Sequence, residues 1–213
     1  FVMKTHNTEL FGIECPIVQG GMHYAGKAEL SSAVSNAGED DVPNFILLPL
    51  AAGQLTGPFI ASGGMANGRS LVAALALGAE GINMGTRFLA TEEAPVHENV
   101  KQAILRASEL DTRLVMRPLR NTERVLVNQG VERLLQKEKA LGQHITFSDI
   151  VDEVGGVYPK VMVQGNVEAG AWSCGMVAGL IHDIPTVQQL VSRIVEEASA
   201  LVDKRLPSAM QSF

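Results

Sequence analysis

Cysteine is almost missing from this chain: Cys15 and Cys174 are the only two in 213 residues. That excludes a disulfide framework and a cysteine-ligated zinc cluster, and both side chains read as reduced thiols. Positive charge is also in deficit. Lys and Arg number 17 against 23 Asp and Glu, a net charge of −6 with no basic stripe, which argues against nucleic acid or an anionic membrane as a partner. No apolar run is long enough to span a bilayer, and no charged-then-apolar start marks a signal peptide. The expected location is therefore the cytoplasm, with Met3 as the natural start behind Phe1-Val2. Internal repeats and low-complexity tracts are lacking. With 46% hydrophobic and 19% charged residues, the composition suits one soluble globular domain with a substantial core.

What the chain does have is glycine in two informative places. Ser62-Gly63-Gly64 follows the short apolar run Phe59-Ile60-Ala61, and Met84-Gly85-Thr86 ends the run Ile82-Asn83-Met84. Between them Arg69 to Leu77 reads as a helix closed by Gly78 at the C′ position. The unit is strand, loop, helix, strand, loop. Glycine lacks a Cβ and tolerates positive φ, so such loops bring backbone N–H groups within hydrogen-bonding distance of phosphate oxygens. Thr86 adds a hydroxyl. In (β/α)8 barrels the phosphate commonly sits on the loops after the last two strands. The alternative, ordinary turns of an α/β protein, stays open on these residues alone.

Pro16 to Gln19 predicts a further strand before Gly20-Gly21, and Lys27 to Ser35 a helix ending at Asn36-Ala37-Gly38. Pro43 reads as the first helical residue behind an Asp cap, opening a helix to about Leu55. One helix thus follows another with no strand between. Three strands cannot close a barrel, and a complete barrel takes about 250 residues, so a block of chain is expected to be absent between Gly38 and Glu39. Beyond residue 94 the chain reads as helical: Pro95 to Ser108, a looser pair over Thr122 to Leu141, Phe147 to Val154 and, most clearly, Pro185 to Leu206. In the last, apolar residues from Val187 to Val202 recur at three and four, while Glu196, Glu197, Asp203 and Lys204 form a solvated face. The stretch Gln164 to Met176 is rich in small residues around the single Trp172. It reads either as a loop against a planar ligand or as close packing round a buried indole.

Pro16-Ile17-Val18-Gln19-Gly20-Gly21-Met22, Ile60-Ala61-Ser62-Gly63-Gly64, Ala79 through Phe88 and Trp172-Ser173-Cys174-Gly175-Met176 together resemble the nitronate monooxygenase family, formerly called 2-nitropropane dioxygenases. These are FMN-dependent barrels, and the family includes NADH:quinone reductases. The resemblance implies an α/β fold of the (β/α)8 TIM-barrel type, with an FMN-binding barrel portion at 3–94 and a helical C-terminal portion at 95–213. The middle strands would be lacking where Gly38 meets Glu39. It implies oxidation of alkyl nitronates to a carbonyl compound and nitrite with oxygen, or alternatively NADH:quinone reduction. Gly21 and Met22 would lie beside the flavin ring, and Ser62, Gly63, Gly64, Gly85 and Thr86 would hold its phosphate. Gln164 would lie near the ring, with His23 and Trp172 on the substrate side. The family's catalytic histidine falls in the loop before the position of Glu39 and has no counterpart here; His6, His97, His144 and His182 read as exposed or capping residues. No metal is required. The expected partners are small molecules, and a homodimer is compatible with the pattern. Outside this family, a flavin-free barrel binding a phosphate ligand also fits the glycine loops, and an inactive truncated remnant fits the missing histidine.

Overall fold

The computed structural model describes residues 4–5, 8–9, 12–19 and 42–210. They form two compact units, the first taking the described residues up to Gly85 together with 185–210, the second residues 86–184. His6, Gly21, Met22, His23, the expected helix from Lys27 and the junction at Gly38 lie outside the described residues.

In the first unit β1 (Ile17–Gln19), β2 (Ala61–Ser62) and β3 (Ile82–Met84) form a parallel sheet in the order β1-β3-β2. Ile82 is aligned with Ile17 on one side and Ala61 on the other, and Asn83 with Val18 and Ser62. Ala61, Ile82 and Met84 are buried, as parallel strands covered on both faces require. Helices α1 (Asn44–Gln54) and α2 (Gly68–Ala76) precede β2 and β3. The expected strand, loop, helix, strand unit is therefore present. Local signals set the limits of α2. Asn67 accepts from the Ser70 N–H at 3.0 Å while Ser70 Oγ accepts from the Asn67 N–H at 3.1 Å. At the other end Gly78 takes φ +99, its N–H donating to Leu75 at 3.1 Å and that of Ala79 to Ala74 at 3.0 Å, the two bonds of a Schellman motif.

Two features of this unit differ from the sequence reading. Pro43 is not the first helical residue: at φ −69 and ψ 150 it stays extended, and α1 begins at Asn44. The proline ring fixes φ but leaves ψ to be decided by the surroundings. Glu197 is not merely solvated. The C-terminal helix Val187–Ala200 crosses α2 at Gly68, where an added Cβ would lie 2.5 Å from Ala198 N and 2.6 Å from Ile194 O. There Glu197 Oε2 accepts from the Gly68 N–H at 2.8 Å and Oε1 pairs with Arg69 at 3.2 Å, a carboxylate at the positive end of a helix. The apolar stripe packs as its spacing predicts through Leu190, Ile194 and Ala198, while Val202 remains exposed.

The second unit contains α3 (Thr86–Leu89), α4 (Glu98–Arg106), β4 (Thr112–Val115), β5 (Glu123–Leu126), α5 (Gln129–Leu141) and α6 (Val151–Val154). The helical pair expected over Thr122 to Leu141 is corrected in its first part, which is β5, antiparallel to β4 from Thr112↔Leu126 to Val115↔Glu123. Helix starts only after Asn128, whose side chain accepts from the Val131 N–H at 3.0 Å. Pairing decides this: Val115 and Val125 share one face and enter a core with Val131, Leu134, Ile145 and Ile150, a gain invisible to propensity within either segment. Buried Glu153 ties α6 to α5, receiving Lys137 Nζ at 2.7 Å and Arg133 Nε at 3.5 Å. The α/β class is as expected, but among the described residues the parallel sheet has three strands and no barrel closes. No helix among them is long and apolar enough to cross a membrane.

Candidate functional site

The first glycine loop is held from one side. Asn44 Nδ2 donates to the carbonyl oxygens of Ser62 at 3.0 Å and Gly63 at 2.7 Å. In a trans peptide the C=O and N–H point opposite ways, so the N–H groups of Gly63 and Gly64 turn away from Asn44. Neither finds a hydrogen-bond partner among the described residues. The two glycines take φ +81 and +77. A Cβ at Gly64 would stand in open space, so conformation rather than crowding calls for glycine there. Asn83, on the central strand, donates through Nδ2 to Ser62 Oγ at 3.2 Å, which leaves the serine hydroxyl proton to donate onward. Three uncharged donors thus lie on three consecutive residues, a set suited to the oxygens of an anion. Asn44 Oδ1 and Asn83 Oδ1 are buried with no hydrogen-bond partner among the described residues, at about 1–3 kcal/mol for each unsatisfied group. Gly85, half-buried, directly follows β3.

Within the second unit Thr86 Oγ1 accepts from the Gly175 N–H at 3.0 Å, again leaving a hydroxyl proton free to donate. Gln164 is exposed. Trp172 is fully buried and its Nε1–H donates to Val167 O at 3.2 Å, so of the two readings open for this stretch its indole takes the packing one. The neighbouring glycines agree. A Cβ at Gly165 would meet His97 Nδ1 at 2.3 Å, and one at Gly170 would meet Glu153 O at 2.2 Å. His97 caps α4 by accepting from the Asn99 N–H at 3.1 Å, while His144 and His182 are exposed; all three match the roles expected of them. Burial pushes the Cys174 thiol up to about 12, which keeps it unreactive at neutral pH.

One cluster carried no sequence signal beyond Ser173 itself. Cys174 N–H donates to Arg124 O at 3.1 Å and Ser173 forms an isolated antiparallel bridge to Val125, so this segment runs beside β5. Tyr158 Oη accepts from the Ser173 N–H at 3.2 Å, lies 2.6 Å from Ser173 Oγ, and donates to Glu123 Oε1 at 3.0 Å. The Ser173 hydroxyl also donates to that carboxylate. Burial, followed by the Glu123 charge, pushes the Tyr158 phenol up to about 12, so at neutral pH it stays a donor. Its members stand 15 to 50 residues apart, which is why no local pattern reveals them.

Residues 39–197 match the family model described as nitronate monooxygenase. The chain belongs to the nitronate monooxygenase family. A Mycobacterium tuberculosis relative, (3aS,4S,5R,7aS)-5-hydroxy-7a-methyl-1-oxo-octahydro-1H-indene-4-carboxyl-CoA dehydrogenase, is 31% identical over 206 residues, covering 76% of this chain and 58% of that protein. A probable nitronate monooxygenase of Bacillus subtilis is 30% identical over 187 residues, covering 87% of this chain and 52% of that one. The chain thus spans little more than half the length of these relatives. Among solved structures, FabK from Thermotoga maritima superposes with a TM-score of 0.82 at 24% identity, covering 97% of this chain and 99% of that one; at that identity the likeness speaks for the fold. In the nitronate monooxygenase family, then, both the Ser62 loop and the buried Trp172 segment fall inside the matched region.

Proposed function

We propose that this chain carries the phosphate cradle of an FMN-dependent oxidoreductase that oxidises alkyl nitronates to a carbonyl compound and nitrite with oxygen. One observation carries the reading: Ser62, Gly63 and Gly64 offer three donors, two of them N–H groups of consecutive positive-φ glycines. Such donors fit a phosphate monoester, whose oxygens only accept. Gly85 would add backbone after β3. Thr86, next in the chain, would add a hydroxyl whose oxygen is already satisfied by Gly175. Bound FMN would supply the electron-transfer chemistry; the chain's share is to bind it, orient it and shape the space around it. Gly21 and Met22 beside the ring, Gln164 near it and His23 on the substrate side belong to the same proposal. Trp172, fully buried, would serve that side only through the packing of its own segment. None of His97, His144 and His182 is assigned the role of the family histidine. The expected setting is the cytoplasm, with small-molecule partners and a homodimer as the compatible assembly.

A dehydrogenase acting on a CoA thioester is the second reading, favoured by the name of the Mycobacterium tuberculosis relative. Anaerobic mixing separates the two. The chain is loaded with FMN and mixed with an alkyl nitronate, with NADH, or with an acyl-CoA, and the visible flavin absorption is followed. Bleaching by the nitronate is the expected result. Bleaching by NADH or the acyl-CoA, with none by nitronate, rejects the monooxygenase reading, and failure to take up any flavin rejects both.

A further inference from the structure

We propose that Asn44 is a positioning residue for the phosphate cradle, fixing the direction of the Gly63 and Gly64 N–H groups from behind the loop. This rests on the reading of the Ser62 loop as the seat of the FMN phosphate. The assignment of the amide is chemically forced: both of its partners are carbonyl oxygens, so the group that faces them is the NH2. One side chain thereby grips two successive peptide planes, at 3.0 and 2.7 Å. Fixing two carbonyls fixes the two N–H groups on the far side of the same planes. A loop with two consecutive positive-φ glycines otherwise has great freedom, and freedom lost on binding weakens affinity. Asn44 removes that freedom before the ligand arrives.

Its place in the chain supports the assignment. α1 has no side-chain cap, and the amide nearest its start serves instead a loop 18 and 19 residues away. The same amide leaves Oδ1 buried without a partner among the described residues. Asn83 completes the backing by directing Ser62 Oγ at 3.2 Å, so two asparagines from different elements set all three donors. Asn44 itself presents no donor to the anion and acts only through the loop.

The test compares two flavins that differ by one phosphate. The 213-residue chain is titrated with FMN and with riboflavin, following flavin fluorescence. Wild type is expected to prefer FMN. Asn44→Ala should lower FMN affinity by roughly tenfold, because the freedom returned to the loop must be lost again on binding, and leave riboflavin affinity unchanged. Asn44→Ser, which keeps one donor, should restore part of the preference. A purely structural role would weaken both flavins alike and would not be rescued in this selective way. If Asn44→Ala fails to fold, the Asn44→Ser ratio decides the role of Asn44, while the wild-type amide signals test the cradle it serves: FMN, but not riboflavin, should shift the Gly63 and Gly64 N–H resonances. An Asn44 variant that keeps the full FMN preference overturns the inference while leaving the flavin reading intact. A wild-type chain that binds both flavins equally, or whose Gly63 and Gly64 amides are indifferent to FMN, overturns the phosphate reading, and the inference with it.

Discussion

The loop at Ser62-Gly63-Gly64 and the stretch from Gly165 to Gly175 are both glycine-rich, yet glycine serves opposite ends in them. At Gly64 a side chain would have room and the backbone would not tolerate it, since φ is +77 and nothing lies near the position of a Cβ. At Gly170 a side chain has no room, because Glu153 O would be 2.2 Å away. The first kind of glycine sets backbone direction and leaves N–H groups for a ligand; the second lets two chain segments touch. Composition cannot tell them apart. What separates them is whether the space beyond the Cα is open or filled by a distant part of the chain.

Substitutions should break this contrast in graded fashion. Gly170→Ala is expected to have the largest effect, about 3 kcal/mol of destabilisation from overpacking against backbone that cannot swing aside, read as a lower urea midpoint. Glu153→Gln should come next. Removing a buried carboxylate from its cations typically costs about 3–5 kcal/mol, but Lys137 and Arg133 are 35% and 52% exposed and can turn to water, so about 2 kcal/mol is expected by the same measurement. Gly64→Ala should cost only about 1 kcal/mol of left-handed strain while abolishing the preference for FMN over riboflavin in a fluorescence titration. If Gly64→Ala proved as destabilising as Gly170→Ala, the distinction between the two glycines would fail.

A pH series sharpens the packing side further. The Cys174 thiol and Tyr158 phenol are raised in the folded state from 9.0 and 10.0 to about 12. The folded chain therefore holds these protons more tightly than the unfolded chain. Their contribution is complete below pH 9 and is lost as pH climbs toward 12. The thermal midpoint should fall across that window, and Cys174→Ala should flatten the fall. A midpoint that rises there would show that neither group is enclosed as described.

Legibility followed the distance over which each feature is decided. The limits of α2 rest on Asn67, Ser70 and Gly78, all within or beside the helix, and could be read closely. The glycine loops could be read as candidates. Asn44 could not be linked to them, since nothing in its neighbours says that its amide will reach Ser62 and Gly63. The sequence of β5 reads as helix because the reward for the β4–β5 hairpin lies in pairing and in a shared core. Glu197 reads as solvent-facing because its partner, the Gly68 N–H, stands 129 residues earlier.

By itself the sequence determined the alternation of short apolar runs, capped helix and glycine turns, because each depends on backbone sterics and hydrogen bonds closed within a few residues. Tertiary structure alone decided which glycines present donors and which admit neighbours, and which amide braces the loop. Those outcomes turn on what arrives within about 3 Å from far along the chain, a distance set by hydrogen-bond geometry and close packing rather than by any local pattern.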